Sequence, residues 1–350
     1  MLDIFIKKAI GIDIADRSIE AAEVKKLGGK IMVKSLGRQE LADGIVRNGM
    51  IIKQEELAVA LNKTLAEAQP HPISGRKIIF GFPESQTYTH IFSHQYPGEE
   101  IDAEEIDKIV LQEAWANIPI TRSEMLVEYE IVKKEQGRID VLIVAAPRRV
   151  VVEWQKFFGQ LGLEIAAFDV EPIANFRNLE ARHKKSVMVV DIGSATTNIY
   201  IFHRNKLVYE HTVNIAGDNL TAEIVAALKI KPAEAENEKE TVGLSDPEAP
   251  FFAALIKILE RILEEIRNSL RDYSGKYRKK VDDIIFIGGS SQLKGLLEYF
   301  SANLEVPVAL GVPRVYQGKE MEYLGAIGMA LRGLYKKYDK EDPFIPFAGA

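Results

Sequence analysis

The chain has 350 residues, 47% of them hydrophobic, with 45 basic against 51 acidic side chains and a net charge of −6. That is globular composition with room for two or three domains, and the acidic balance excludes a generally basic nucleic-acid binder. Cysteine is absent, which excludes disulfides, thiolate zinc sites, iron–sulfur clusters and a cysteine nucleophile.

At the N-terminus, Asp3, Lys7, Lys8 and Asp13 interrupt what would be the apolar region of a signal peptide, so no cleaved leader is expected. No run of apolar residues is long enough to span a bilayer, and the expected location is the cytoplasm. Alternating apolar and polar positions predict strands at Ile10–Ile14, Ile19–Lys25 and Ile31–Gly37. A helix is predicted over Gln54–Ala68, with Leu57, Leu61 and Leu65 on one face, ended by Pro70 and Pro72. Lys77–Phe82 reads as the next strand.

From about Gln86 to Phe168 the order is strand (Thr87–Tyr96), helix (Asp102–Asn117), strand (Met125–Lys133), strand (Arg138–Ala145), helix (Arg149–Leu161), which reads as a small inserted subdomain. Asp102 is the expected N-cap of the first of these helices, with Glu104 and Glu105 at the positive end of its dipole. A strand at Glu164–Asp169 and a helix from Glu171 lead back to the first unit.

At Val187 the opening pattern restarts. With Asp13 laid over Asp191, GIDIADRSIEAAEV matches VVDIGSATTNIYIF: an apolar strand, Asp-Ile, a short turn and an alternating strand. A third strand follows each, at Ile31–Leu36 and Lys206–Val213, so the halves read as a duplication. Helices are predicted at Asp218–Leu228 and Phe251–Tyr273, separated by the polar stretch Lys231–Pro250. A strand, Asp283–Ile287, runs into Gly288-Gly289-Ser290-Ser291, and a last helix spans Tyr323–Tyr338.

Two strand–Asp–turn–strand units suit a polyphosphate, since such turns present backbone N–H groups and small hydroxyls to an anion. Asp13 and Asp191 would be repelled by phosphate, but each can hold hydrated Mg²⁺, which keeps several waters and takes one or two carboxylates. Gly193, Ser194, Thr196 and Thr197 suit the second turn, and Gly288, Gly289 and Ser290 suit close backbone approach to a ring or phosphate. The junction is not GxGxxG, which disfavours a Rossmann dinucleotide site.

Phosphate turn, insert, second phosphate turn and Gly-Gly-Ser junction, in that order, resemble the actin-like ATPase superfamily. Within it the chain looks like a member of the PilM family of type IV pilus assembly proteins, related to FtsA; NIPITRSEMLVEYEIV (Asn117–Val132) is similar to that family's insert. The resemblance implies an α/β fold of two duplicated ribonuclease-H-like lobes with a small α+β insert in the first. By that likeness residues 1–85 and 168–186 form the first lobe, 86–167 the insert, 187–216 and 281–322 the second lobe, and 217–280 a helical subdomain; helix 323–340 packs back on the first lobe. It also implies ATP with Mg²⁺, and at most slow hydrolysis. Glu236 and Lys239 resemble an adenosine-contacting helix, NIAGDNLT with Gly217 the opening of the helical subdomain, and FDVEPIAN the crossover between halves.

The first turn departs from the family pattern. Ala15, Asp16, Arg17 and Ser18 stand where relatives carry Gly and small residues, and Asp16 would repel phosphate unless Arg17 or Mg²⁺ compensates. Arg17 serves equally well as a phosphate contact or a surface ion pair. Glu171 lies where relatives orient water, though a first-turn acid before Pro172 fits it too.

The implied partner is the short cytoplasmic N-terminal tail of a PilN-type inner-membrane protein, in a groove between first lobe and insert. Membrane association would then be indirect, with self-association as a further option and no nucleic acid. The alternatives are an FtsA-like filament protein and a small-molecule kinase. The tail KKYDKEDPFIPFAGA is poorly suited to an amphipathic membrane helix, and no isolated Asp in a Gly/Asn-rich loop offers a kinase base. The scattered histidines are expected to have surface or packing roles.

Overall fold

The computed structural model describes residues 7–98, 100–183, 185–315 and 321–334. The N-terminal six residues, the KKYDKEDPFIPFAGA tail and the end of the predicted last helix lie outside the described residues. The chain divides into two units: one takes residues up to 178 together with those from 313 onward, and the other is Leu179–Val312.

The first unit opens with β1 (Lys7–Ile14), β2 (Ser18–Leu27) and β3 (Lys30–Glu40), followed by the small hairpin of β4 (Val46–Arg47) and β5 (Met50–Ile51), helix α1 (Gln54–Ala66) and β6 (Lys77–Phe82). Then come β7 (Tyr88–Gln95), α2 (Ala103–Asn117), β8 (Met125–Glu135), β9 (Arg138–Pro147), α3 (Arg148–Gln160), β10 (Glu164–Val170) and α4 (Glu171–Arg177). The second unit has β11 (Ser186–Ile192), β12 (Thr197–His203), β13 (Lys206–Val213), α5 (Gly217–Leu228), α6 (Pro232–Thr241), α7 (Phe252–Tyr277), β14 (Asp283–Ile287), α8 (Leu296–Asn303) and β15 (Val308–Leu310). Helix α9 (Leu324–Gly333) returns to the first unit.

Each unit is built on the same sheet. In the first the order is β10-β6-β1-β2-β3, and in the second β13-β12-β11-β14-β15, the same sequence of strands read from the opposite edge. The three opening strands pair antiparallel and the next two add parallel in both. The internal repeat in sequence is thus a repeat of topology. The central strands β1 and β11 are flanked on both edges and read as near-continuous apolar runs, as such strands must.

The insert is a separate layer. Its sheet, β7-β9-β8, packs against α2 through Phe92, Ile106, Val110, Ala114, Val141 and Ile143. Helix α2 starts where expected: Asp102 Oδ1 accepts from the N–H of Glu105 at 2.7 Å. Helix α3, expected to complete the insert, instead lays its aromatic face on the five-stranded sheet. Trp154 and Phe158 sit 4.7 and 4.8 Å from the Phe80 ring of β6, and Phe80 is 6.1 Å from Phe168 of β10. Burying such side chains contributes about 1.5–3 kcal/mol each, so the aromatic pattern places the helix.

The polar stretch after α5 contains a helix that periodicity missed. Helix α6 has Pro232 in its first turn and buries only Ala235 and Lys239, so it carries no apolar stripe to read. Among the described residues no helix is long and apolar enough to cross a membrane.

Candidate functional site

In the second unit three elements converge on the turn after Asp191. Gly193 N–H donates to the Thr196 carbonyl at 3.0 Å and closes the turn. The Gly193 carbonyl accepts from Gly217 N–H at 3.0 Å and from Ser290 Oγ at 3.1 Å. Ser194 O accepts from Asp218 N–H at 2.8 Å, so the turn is tied to the first residues of α5. The strand β14 reaches the same place, and Gly288 there has φ 85°, a left-handed conformation natural to glycine. A Cβ at Gly288 would lie 2.3 Å from Asp191 Oδ1; a Cβ at Gly217 would lie 2.3 Å from Ser290 Oγ and 3.5 Å from Lys239 Nζ.

Helix α6 adds the polar wall. Lys239 is buried, with Nζ 2.5 Å from Glu236 Oε1 and 3.0 Å from Thr221 Oγ1. Thr221 Oγ1 lies 2.6 Å from Glu236 Oε2. Burial opposes ionisation of Glu236, but the bonds from Lys239 and Thr221 outweigh it and hold the carboxyl below its ordinary range. The arrangement is a small, preformed cluster of donors and acceptors, drawn together by glycines that let backbone and side chains approach closely. Ser194 is exposed and Thr196 half-buried, and neither hydroxyl has a protein partner among the described residues.

Thr197, expected among the ligand contacts, is fully buried and its hydroxyl donates to the Ile215 carbonyl at 2.6 Å. It holds the turn in place and does not face a ligand. Thr221, conversely, was not singled out by sequence; its place one helical turn after Gly217, on the same face of α5, is the signal for it.

In the first unit the corresponding turn is closed by Ala15 N–H donating to Ser18 O at 2.9 Å. Asp16 is turned aside: its carboxylate accepts from the N–H groups of Asn48 and Gly49 at 2.8 and 3.2 Å, so the repulsion expected from it is met by the β4–β5 hairpin. Arg17 is exposed and makes no ion pair among the described residues. Ser18 Oγ donates to Glu20 Oε2 at 3.3 Å.

Asp13 lies directly across the strand pair from Glu20, so two carboxylates share one face of the sheet. Burial, and then the negative charge of Glu84, push Asp13 up to about 6. Burial and Asp13 push Glu20 up to about 7, against the pull of Ser18 and of Arg38, whose Nε lies 2.9 Å away. A Cβ on Gly325, at the N-terminal end of α9, would come within 2.8 Å of Asp13 Oδ2, so the carboxylate is walled by backbone. Glu20 and Glu84 escaped sequence reading, although the tight turn places Glu20 opposite Asp13 by register alone.

Excess negative charge of this kind is offset by a proton or by a divalent cation. Among the described residues no three His, Cys, Asp or Glu side chains are grouped to hold an ion directly. Asp13 and Glu20 are a carboxylate pair within the first unit, and Asp191, beside Gly288, is the corresponding carboxylate of the second. Glu171 is the first residue of α4, after Val170 and before Pro172, where a negative side chain favours the helix dipole. His90 and His211 each face a glutamate, Glu113 at 3.5 Å and Glu265 at 3.0 Å.

The buried carboxylates set a pH signature. Glu20 has an ordinary value of 4.5 and a folded value near 7, so the native state keeps a proton that the unfolded chain releases between them. Stability from this group is present below pH 4.5 and is lost as pH rises to about 7. Glu20→Gln removes the titration. The expected result is a gain in unfolding free energy relative to the parent that grows from pH 4.5 to 7 and is constant above, read by urea melts across that range. A difference that shrinks with pH would mean the Arg38 pair, not burial, governs this carboxylate.

A model of the family described as type IV pilus assembly protein PilM matches residues 11–334. The chain is similar to cell division protein FtsA of Pseudomonas aeruginosa, 23% identical over 95% of this chain and 91% of that protein. FtsA of Streptococcus pneumoniae is 21% identical, with 87% of this chain and 75% of that protein covered. Among solved structures the chain is similar to one described as the PilM–PilN type IV pilus biogenesis complex, with a TM-score of 0.79 and 22% identity over 94% of this chain and 99% of that one. MreB 5 of Spiroplasma citri bound to AMPPNP aligns with a TM-score of 0.52 and 11% identity over 93% and 95% of the two chains. The two repeated sheets are thus those of the actin-like ATPase fold, and the chain belongs to the family of type IV pilus assembly proteins PilM.

Proposed function

We propose that the chain is an ATP-binding scaffold of the type IV pilus assembly platform, working at the cytoplasmic face of the inner membrane through a PilN-type partner. The family match across residues 11–334 carries the assembly role. The nucleotide reading is supported by the second unit's cluster, where the close packing at Gly193, Gly217, Gly288 and Ser290 brings the turn after Asp191 beside Glu236, Lys239 and Thr221. Gly289, with the hydroxyls of Ser194 and Thr196, offers further groups to phosphate, and Ala15, Arg17 and Ser18 are the first unit's counterparts. Asp13 and Asp191 would hold Mg²⁺ through water; that ion, when bound, neutralises phosphate charge.

The role needs no fast turnover. A ligand at about a thousand times its dissociation constant stabilises the form that binds it by roughly 4 kcal/mol, enough to order a two-unit protein. Glu171 is assigned its helix-dipole role, and the water-orienting role stays secondary. The partner is supported by the complex in which a similar structure was solved, of PilM with PilN. The insert's sheet ends in β8, an edge strand, and edge strands and grooves are the usual seats of extended peptides.

The test is direct binding of a fluorescent peptide with the N-terminal sequence of the PilN-type protein, with and without Mg-ATP. Saturable binding that tightens with Mg-ATP is expected. No binding in either condition overturns the partner assignment; binding indifferent to nucleotide overturns the clamp role of ATP.

A further inference from the structure

One end of the first unit's five-stranded sheet is built almost wholly of cations. β1 begins with Lys7 and Lys8, and the antiparallel register sets Lys7 opposite Lys26 and Lys8 opposite Lys25. Lys30 follows the Gly28-Gly29 turn, across from Leu27. Arg76 precedes β6 at the same end, next to Gly75, which abuts Ile10 of β1. Lys7, Lys8, Lys30 and Arg76 are exposed, and Lys25 and Lys26 are half-buried.

None of these six makes an ion pair among the described residues. Their neighbours Lys34 and Lys77 are neutralised, by Glu23 at 2.7 Å and Glu164 at 3.3 Å. Like charges facing each other across a strand pair cost stability, so the described residues concentrate positive charge at this end of a chain whose net charge is −6.

The tip of this end is apolar. Leu27, at the start of the turn, is an exposed apolar side chain at 37%. Among the described residues the patch has no aromatic ring on which a base could stack. Lysine stems lie along an apolar layer while their ammonium groups reach phosphate. The patch is also remote from the phosphate turn: Lys8 and Asp13 are five residues apart on one strand, about 17 Å at roughly 3.4 Å per residue.

From this juxtaposition we infer that the Lys7–Lys8, Lys25–Lys30 and Arg76 end of the first unit docks on the headgroups of an anionic phospholipid surface, with Leu27 entering the headgroup layer. It adds a direct electrostatic contact with the membrane to any contact made through a partner, and it does not depend on the nucleotide reading. Each lysine near such a surface is worth about fivefold in partitioning, and the attraction fades with salt over about 10 Å at 0.1 M.

Flotation of the full chain with vesicles tests it. Phosphatidylcholine vesicles are compared with vesicles of phosphatidylcholine mixed with phosphatidylglycerol, at low and high salt. The chain is expected to float with the anionic vesicles only, and less at high salt. The variant Lys25→Ser, Lys26→Ser, Lys30→Ser should lose about a hundredfold in partitioning, and Leu27→Ser a smaller, salt-insensitive share. Neither variant should melt below the parent, and the triple variant, relieved of two like-charge pairs, should melt at or slightly above it. Flotation on neutral vesicles to the same extent, no flotation on either, an unaffected triple variant, or a preference for duplex DNA over anionic vesicles at equal salt would each overturn the inference.

Discussion

Asp169→Asn is expected to destabilise the protein by about 3–5 kcal/mol, the cost of leaving buried charge without its partner. Asp169 is wholly buried near the end of β10, 2.6 Å from Arg177 Nη1 and 3.1 Å from Arg332 Nη1. Both arginines are themselves buried, so solvent cannot take over the missing charge. The carboxylate also accepts from the Val170 N–H at 3.0 Å. Arg177 donates on to the Gly328 carbonyl at 2.9 Å and Arg332 to the Phe168 carbonyl at 2.7 Å, so β10, α4 and α9 are joined at one point. Asparagine keeps the shape and removes the charge, which leaves two guanidinium groups facing each other. Urea unfolding of parent and variant at pH 7 measures the loss. The exposed pair of Lys53 and Glu56 supplies the contrast, since breaking it should cost under about 1 kcal/mol. A loss that small at Asp169 would show that the triad is not a joint.

Gly217→Val is expected to lower ATP affinity by at least about a hundredfold, the equivalent of roughly 2.7 kcal/mol. The first atom of the new side chain meets Ser290 Oγ at 2.3 Å and lies 3.1 Å from the Gly193 carbonyl and 3.5 Å from Lys239 Nζ, so a valine crowds all three groups. Ser290 would be driven from the Gly193 carbonyl, loosening the turn as well as blocking it. Calorimetric titration with Mg-ATP reads the affinity, and the melting temperature of the unliganded variant separates a blocked site from a lost fold. Ser290→Gly in the same chain removes the nearest clash and should return part of the affinity. A well-folded Gly217→Val variant binding ATP within threefold of the parent would remove the proposed ligand from this place.

Much of the architecture was legible because strand alternation and the Asp-turn repeat are local signals. Strand β6 runs over Lys77–Phe82 as its pattern predicts, and Asp102 caps α2 through its own side chain. What escaped depended on partners. Helix α6, expected through the family resemblance alone, has only Ala235 and Lys239 buried, and no period can be drawn through two positions. Strand β15 is three residues long and takes its identity from β14 beside it. The helix at Arg149–Leu161 was read from sequence, but not that its Trp154 and Phe158 would pack on Phe80 of the five-stranded sheet. At the site, small and acidic residues near the turns could be named from spacing. That Thr197 is spent on a carbonyl, Asp16 on two amides and Glu20 on crowding Asp13 is decided by neighbours in space.

The return of α9 to the first unit has a consequence for how the protein is made. Ala326, Ile327, Ala330 and Leu331 of that helix pack on Ala9, Ala22 and Val24 of the opening strands. On a ribosome those strands emerge well before the helix that covers them, with the whole second unit made in between. The second unit, continuous from Leu179 to Val312, has all of its sequence beforehand. The nascent polypeptide can therefore complete the second unit before the first, and until α9 is made the opening sheet keeps an apolar face open to chaperones.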